Sequence, residues 1–535
     1  MSYRVLVSDK LAPEGLEILA SRKDLELHDR PGLSAEELLE IIPDYDGLVI
    51  RSGTRVTSEV IDAGTRLKVI GRAGIGVDNV DVPAATRRGI VVMNTPGGNN
   101  TTTAEHTISL LLSLARHIPQ AYASLTGGQW ERSKFTGIEI AGKTLGVIGL
   151  GNIGRIVADR GAGLSMKVIA YDPFVTPETM PLDAELVSLD DLYARADFVT
   201  VHVPMTNDTR GLIGTEAIAK MKDGVRIINC ARGGIVDEEA LAEGVRSGKV
   251  AGAALDVFVK EPPLGNPLLE MPEVIATPHL GASTGEAQVN VAIAIAEQVS
   301  HYLETGAITA AINMPPLTSE QREVLGPYLE LGERLGSLTA QLAANEKGAE
   351  AGTPVKVEIE YRGDAAELGT KTLTAAILRG LLRPILGNDL NYVSAPAVAR
   401  ERGIDVEEIL SSKRSDFSNR VSVRVAFAGG ALHDVAGAVF AGRLGRIVRI
   451  NDFYLEAVPE GIILMLQNQD VPGVVGKVGT LLGVNGVNIA RLELASDSDS
   501  EMAVSLFHVD DEVPEEVLEQ LRGATEVVSA GLIRF

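Results

Sequence analysis

The chain has 535 residues, room for roughly three or four domains, with the 45% hydrophobic and 23% charged content of an ordinary globular protein. Its 49 Lys and Arg against 72 Asp and Glu leave a formal net charge of −23, which argues against non-specific nucleic-acid binding and requires any anionic substrate to meet a local basic pocket. The single cysteine, Cys230, rules out an intramolecular disulfide and suggests no metal cluster; the N-terminus lacks a basic stretch followed by a long apolar core, no apolar run is long enough to span a bilayer, and a cytoplasmic location is expected.

Residues 1 to about 95 alternate short Val-, Ile- and Leu-rich runs with amphipathic stretches. Arg4 to Val7, Leu25 to Leu27, Gly47 to Ile50, Leu67 to Ile70 and Ile90 to Met93 read as strands. Ser34-Ala35-Glu36-Glu37 reads as a capping box opening a helix. Such alternation predicts a parallel sheet with helices on both faces. No dinucleotide fingerprint occurs here, so this unit is not expected to hold a dinucleotide. Two of its loops look functional because open α/β sheets place ligands at strand C-termini. Arg51-Ser52-Gly53 follows GLVI, and Arg51 suits a carboxylate or phosphate, with Ser52 and the Gly53 N–H adding hydrogen bonds; a solvated loop arginine is the plain alternative. The stretch from Arg72 to Asn79, with Ile75 and Gly76 inside it, lets backbone reach a ligand or simply turns tightly.

Asn94 to Asn100, with Asn99 inside it, is a cluster of helix and strand breakers and predicts a crossing between domains. Thr102-Thr103-Ala104-Glu105 then predicts the cap of a helix running to His117, with His106 packed inside it. The strongest signal follows. Thr144 to Ile148 is a buried-strand run, and it leads directly into Gly149-Leu150-Gly151-Asn152-Ile153-Gly154, a complete GxGxxG. A helix follows, then a strand from Lys167 to Tyr171 with Asp172 at its end. In that setting Gly149 allows the tight turn, Gly151 lets a pyrophosphate approach, and Gly154 lets helix and strand pack closely. The helix N-terminus supplies free N–H groups to the phosphates. Asp172 suits the ribose hydroxyls of NAD and repels the extra phosphate of NADP. The unit continues as βα repeats to about residue 283. Its strands end at Val203-Pro204, at Cys230-Ala231-Arg232-Gly233-Gly234, at Asp256, and at Thr277-Pro278-His279-Leu280-Gly281. Polar residues gathered where strands stop predict a site at the carboxyl edge of a sheet. Thr284 to about Glu304 reads as one long helix.

From Leu317 the character changes. Glu320 to Ala344 reads as helix, Asn345 to Gly352 as a linker, Val355 to Tyr361 and Val421 to Phe427 as strands, and Leu373 to Leu386 as a helix. No catalytic constellation stands out between 317 and 455. Residues 461–535 read strand, helix, strand, strand, helix, strand, the ferredoxin-like βαββαβ order. In it Asn468 to Gly473 forms a turn between the first strand and first helix. Gly473 and that helix N-terminus suit a carboxylate, Asp470 an ammonium, and Asn488 could bridge; a plain β–α turn is the alternative.

Arg232, Glu261 and His279 fall at the βα edges of the dinucleotide unit. Together they fit oxidation of a secondary alcohol beside a carboxylate. Histidine is the natural base near neutral pH, a carboxylate behind it fixes the tautomer, and an arginine fork holds the substrate carboxylate. The fingerprint, CARGG at 230–234, DVFVKEPP at 256–263 and TPHLGAST at 277–284, in this order and spacing, resemble the D-2-hydroxyacid dehydrogenase family. Arg51-Ser52-Gly53, RAGIGVDNVD at 72–81 and the terminal βαββαβ unit narrow the resemblance to its long, phosphoglycerate-oxidising branch.

The resemblance implies an α/β fold with four parts. These are a flavodoxin-like substrate-binding domain (1–96 and 284–315), a Rossmann NAD-binding domain (97–283), an α+β intervening domain of the allosteric substrate-binding type (316–455), and an ACT regulatory domain (461–535). It implies Arg232, Glu261 and His279 as catalytic residues. It matches Ile75, Asn152, Ile153, Asp172, Val203, Cys230, Ala231, Arg232, Asp256, His279, Gly281 and Ala282, with the three fingerprint glycines, to the NAD site. Arg51, Ser52, Gly53, Gly76 and Asn99 match the substrate side, and Trp130 and Arg132 match positions that reach toward a neighbouring subunit. It further implies NAD as cofactor, 3-phosphoglycerate as substrate, L-serine as an effector held by Asn468, Asp470, Gly473 and Asn488, and a homotetramer. A related dehydrogenase acting on another acid, and a non-catalytic NAD(H)-sensing regulator on the same fold, stay open at this point, as does a 2-oxoglutarate reductase side activity.

Overall fold

The computed structural model of the chain describes residues 2–176, 184–315, 319–345, 353–367, 369–387, 390–411, 419–497 and 501–535. The expected linker at 345–352 lies outside them from residue 346 onward. Four sheets carry the architecture. The first has five parallel strands in the order Leu25–Asp29, Tyr3–Val7, Gly47–Ile50, Val69–Arg72, Val91–Met93. That is the flavodoxin-like order. The Ala35–Ile41 helix opens with the anticipated capping box, Ser34 accepting from the Glu37 N–H and Glu37 accepting from the Ser34 N–H.

The second sheet has seven parallel strands, running Glu185–Leu186, Lys167–Tyr171, Thr144–Ile148, Phe198–Val201, Val225–Asn229, Val250–Leu255, Val274–Ala276. The strand order reverses between Thr144–Ile148 and Phe198–Val201. Such a switch point opens a crevice at the carboxyl ends of the strands, and the GxGxxG loop begins there. The helix before this sheet runs Asn100–Arg116, three residues earlier at its start than a cap at Thr102 to Glu105 suggested, and its N-cap Asn99 makes no side-chain cap bond. Thr103 and Thr107 instead sit buried in the helix, with the Thr107 hydroxyl donating to the Thr103 carbonyl.

The Gly285–Thr305 helix, capped by Thr284, is reached only after the second sheet is complete, yet it packs back on the first. Ala292, Ile295, Ala296 and Val299 recur at helical spacing and are fully buried there. Two glycines permit the approach. A Cβ on Gly15 would lie 2.7 Å from the Ala292 carbonyl oxygen, and one on Gly71 would lie 2.6 Å from Val299 Cγ2.

The third sheet orders its strands Asp405–Ser411, Pro354–Arg362, Arg420–Phe427, Leu432–Phe440, Leu444–Ile450, Phe453–Ala457; the first pair is parallel and the rest antiparallel. The Ser319–Asn345 and Thr370–Leu386 helices pack with it in the largest core cluster. Only two of these six strands were legible. Leu432–Phe440 is buried on both faces over most of its length, so it lacks the alternation that marks a half-buried strand. The fourth sheet is antiparallel, in the order Ile489–Asp497, Met502–Val509, Ile462–Gln469, Val527–Arg534, with helices Val474–Val484 and Glu515–Arg522. Among the described residues no helix is long and apolar enough to cross a membrane.

Gly71 is the tightest of these contacts with a direct bearing on the cleft, since Arg72 and its loop follow at once. Gly71→Ala should lower stability by roughly 1–3 kcal/mol through overpacking against Val299 and Ile295. Thermal unfolding read by tryptophan fluorescence and circular dichroism checks it.

Candidate active site

The fingerprint loop folds as its glycines dictate. Gly149 is left-handed at φ +94°, and a Cβ there would meet the His202 carbonyl oxygen at 2.6 Å. A Cβ on Gly154 would overlap the Gly149 carbonyl oxygen, so helix and loop could not close up around any other residue. Around Gly151 there is open space: a Cβ added there would meet nothing within 4 Å. Gly151 caps the Asn152–Gly163 helix without a side-chain bond, so the first N–H groups of that helix are left for a ligand. Asp172 braces this loop: Oδ2 accepts from the Leu150 N–H and Oδ1 from the Phe174 N–H, both at 2.8 Å. This combination of an open cradle, a helix N-terminus and an adjoining carboxylate fits the pyrophosphate and ribose of NAD.

On the same carboxyl edge, four strands along the sheet, His279 Nδ1 lies 2.8 Å from Glu261 Oε2. Glu261 Oε1 accepts from the Phe258 N–H at 3.1 Å, which fixes the carboxylate plane. His279 Nε2 has no partner among the described residues and half of the side chain is exposed. The residue is left-handed at φ +53°, an uncommon place for a non-glycine. What holds it there is Asp256, buried at 1% exposure. Its Oδ1 accepts from the Thr277 hydroxyl at 2.5 Å, the Leu280 N–H at 2.7 Å and His106 Nε2 at 3.2 Å, and its Oδ2 accepts from the Gly281 N–H at 2.8 Å. The Asp256 carbonyl accepts from the His279 N–H. Burial by itself would raise the Asp256 pKa; the bonds from His106, Thr277, Leu280 and Gly281 outweigh it and hold the carboxyl below the usual aspartate range. His106, expected only to pack, therefore takes part in this network.

Arg232 lies at the carboxyl end of Val225–Asn229. Its Nη1 donates to the Ala231 carbonyl at 2.7 Å and its Nε to Asp78 Oδ2 at 3.0 Å. Buried Asn229 ties the turn, accepting from the Ala231 N–H and donating to the Arg232 carbonyl. Cys230 next to it is buried in the core and its thiol is pushed up to about 12 by that burial, so it stays protonated as a small apolar group.

On the first unit's side, Asp9 Oδ2 accepts from the Arg51 N–H at 2.6 Å and the Thr54 N–H at 3.0 Å. Asn79 Nδ2 bonds the carbonyls of Arg51 and Thr54. The loop is thus braced while Ser52 and Gly53 stand exposed. Arg72 was not singled out by residue order, although it opens the glycine-rich stretch that was. Burial first, and the charge of Arg232 second, lower its pKa to about 10, and its Nε is buried without a partner. The Asn94 side chain donates to the Ile75 carbonyl at 2.6 Å, and Asn99 Oδ1 is buried and unpartnered. Arg132 lies apart, exposed on the Arg132–Phe135 turn beside Trp130. Among the described residues no group of His, Cys, Asp and Glu is placed to hold a metal.

In the terminal unit Asp470 and Asn488 are exposed and Gly473 caps the Val474–Val484 helix at φ +103°. Asn488 Nδ2 is bonded to Asp510 at 2.6 Å. Asn468 departs from expectation. Its amide is buried, with Nδ2 on the Gln469 carbonyl and Oδ1 accepting from Ser505, because its position in the strand points it into the sheet.

Three family models match the chain: the NAD binding domain of D-isomer specific 2-hydroxyacid dehydrogenases over residues 108–281, the D-3-phosphoglycerate dehydrogenase intervening domain over 324–451, and the ACT domain over 462–525. A D-3-phosphoglycerate dehydrogenase of Archaeoglobus fulgidus is 44% identical across 99% of this chain and 100% of its own, and one of Bacillus subtilis is 41% identical across 99% of both. Among solved structures, a glyoxylate reductase from Paecilomyes thermophila is 32% identical with a TM-score of 0.54, covering 58% of this chain and 98% of its own. A D-lactate dehydrogenase from Aquifex aeolicus, complexed with NAD and lactic acid, is 27% identical with a TM-score of 0.52, covering 58% of this chain and 99% of its own.

Asp256→Asn puts an amide donor against N–H and O–H donors and removes a buried charge they were arranged to satisfy. A loss of about 2–3 kcal/mol is expected, with turnover falling alongside as His279 loses its support. The carboxyl's lowered pKa makes this stability present above the ordinary aspartate range and lost only as pH falls through the folded value. The gap between thermal melts of wild type and variant should therefore hold near neutral pH and narrow as pH falls below the ordinary aspartate range.

Proposed function

The chain belongs to the D-isomer specific 2-hydroxyacid dehydrogenase family, among its D-3-phosphoglycerate dehydrogenases, and from that premise we propose how its residues carry out the reaction. The reaction is NAD-dependent oxidation of 3-phospho-D-glycerate to 3-phosphohydroxypyruvate, the entry to L-serine synthesis. The observation that carries the assignment of roles is the 2.8 Å bond from Glu261 to His279 Nδ1, which leaves Nε2 open at the carboxyl edge of the same sheet as the dinucleotide cradle. His279 Nε2 takes the proton of the C2 hydroxyl. Glu261 keeps the proton on Nδ1 and stabilises the imidazolium that forms. Arg232 holds the substrate carboxylate and polarises the C2 oxygen. Bound NAD supplies the acceptor for the C2 hydride. Arg51 and Arg72, with Ser52 and the N–H groups of Gly53 and Gly76, suit the phosphate end, and the buried oxygen of Asn99 suits a substrate hydroxyl. These are the local cations that a chain of charge −23 needs to draw in a polyanion.

We assign substrate binding to 1–96 with 284–315, NAD binding to 97–283, the intervening part to 316–455 and effector binding to 461–535. The effector is L-serine, its carboxylate on the free N–H groups at Gly473, its ammonium on Asp470, with Asn488 bridging. The chain assembles as a homotetramer in the cytoplasm. Exposed Ile118, Tyr122, Leu125 and Trp130 support a subunit contact near 118–130, through which Arg132 would reach a neighbour's site.

Two experiments test this. With 3-phosphohydroxypyruvate, the enzyme should consume NADH, and His279→Ala should lower kcat by about 10³ while NADH binding holds. Undiminished turnover in that variant overturns the role of His279; NADH binding without turnover in wild type returns the NAD(H)-sensing reading. L-serine should inhibit wild type, and Asp470→Ala and Asn488→Ala should each weaken the inhibition. Equal inhibition of all three, or none of wild type, removes serine from this site.

A further inference from the structure

The Asp78–Arg232 ion pair joins two units of the chain, 154 residues apart in sequence, across the mouth of the cleft. Nothing in the reaction as described uses Asp78. An exposed pair of this kind adds little stability, and Asp78 is 74% exposed. Its geometry is what matters. Oδ2 meets Arg232 at Nε alone, 3.0 Å away, and Nη1 also donates to the Ala231 carbonyl. A guanidinium has five N–H donors in a fixed fork. With one on Nε and one on Nη1 engaged inside the protein, the three left include both on Nη2. A carboxylate needs two of these for a bidentate clamp.

The loop that carries Asp78 is braced on both sides of it. It is tied at Gly74, whose N–H donates to Thr95 Oγ1 at 2.8 Å, at Ile75 through Asn94, and at Asn79 through the carbonyls of Arg51 and Thr54. Gly76 completes the fit. A Cβ there would overlap Arg232 Nη2 and come within 3.0 Å of Asp78 Oδ2. The arginine fork therefore lies against Gly76 with its back on Asp78.

We propose that Asp78 is a positioning residue for the reaction: it pins the Nε edge of Arg232 so that the Nη edge faces the substrate carboxylate. An occupant that merely blocked the fork in place of substrate would take the Nη edge, and Asp78 does not. The inference rests on the reading of Arg232 as the carboxylate clamp.

The test is steady-state kinetics on the full-length enzyme, varying 3-phosphoglycerate and NAD separately, for Asp78→Ala, Asp78→Asn, Arg232→Lys and the double variant Asp78→Ala/Arg232→Lys. Asp78→Ala should raise KM for 3-phosphoglycerate about fivefold, the size of one exposed charge-assisted contact, and leave KM for NAD unchanged. Asp78→Asn keeps an acceptor oxygen and should recover most of the loss. In the Arg232→Lys background, which has no fork to orient, Asp78→Ala should have no further effect. A lowered KM in Asp78→Ala would make Asp78 a competitor for the fork and overturn the proposal. Additive losses in the double variant, or equal losses in both KM values, would overturn it too. A wild-type KM in Arg232→Lys would instead remove the clamp reading, whereas a raised KM in Arg232→Lys together with a wild-type KM in the single variant Asp78→Ala would remove the proposal alone.

Discussion

A single buried carboxylate sets the geometry of the site. Asp256 stands at the end of the Val250–Leu255 strand, and its two oxygens gather donors from two parts of the chain: His106 in the Asn100–Arg116 helix, and the segment after the last strand of the sheet, through the Thr277 hydroxyl and the N–H groups of Leu280 and Gly281. Taking a charge out of water is costly unless its hydrogen-bonding capacity is met. Here it is met almost entirely by the 277–281 segment, so the backbone of that segment has few alternatives. The left-handed conformation of His279 is a consequence of that wrapping rather than a preference of the residue. Glu261 then needs only to meet an imidazole whose position has already been decided.

Close approach by glycine is the second constraint, and it recurs wherever one unit touches another. Gly15 and Gly71 admit the Gly285–Thr305 helix to the first sheet, Gly154 admits the loop of the fingerprint to its helix, and Gly76 admits Arg232 to the cleft. The helix 285–305 also explains why the two halves of the cleft keep a defined relation. The chain leaves the first sheet at residues 94–100, builds the whole dinucleotide unit, and returns to the first sheet at Thr284. The cleft is bounded by these two crossings, and the Asp78–Arg232 pair spans its opening.

The same physics joins the C-terminal part of the chain to the rest. The Ser319–Asn345 helix ends against the edge strand Val527–Arg534, where Gln341 bonds both the N–H and the carbonyl of Arg534 as a neighbouring strand would, and Asn345 bonds the Leu532 carbonyl. At the other side of the intervening unit, Asn391 donates to the Gly89 carbonyl of the first unit. Side-chain amides meet backbone groups at both junctions, and at Val527–Arg534 they cover a sheet edge without extending the sheet.

Much of this was legible from residue order alone. Strand-like runs bounded by breakers marked the two parallel sheets, and the terminal βαββαβ pattern marked the last unit, because short apolar runs and period-2 alternation are written locally. The dinucleotide loop was legible because each glycine has a local reason to be there. The roles of Arg232, Glu261 and His279 were suggested by where their strands stop. What residue order alone could not decide were the pairings: that His106 serves Asp256, that Asp78 backs Arg232, that Arg72 lies half-buried beside them, and that Asn468 turns inward. Each of those depends on two segments far apart in the chain meeting at a few ångströms, and no local period records such a meeting. Four strands of the intervening unit were missed for a related reason: in Leu432–Phe440, for example, one face is buried in the helix-covered core through Val435 and Val439 and the other in a separate cluster of Ala436, Ala438 and Val448, which erases the alternation by which a strand is recognised. Local chemistry settled which residues could act; only the tertiary fold, by bringing Asp256 and its donors together, decided how they are held.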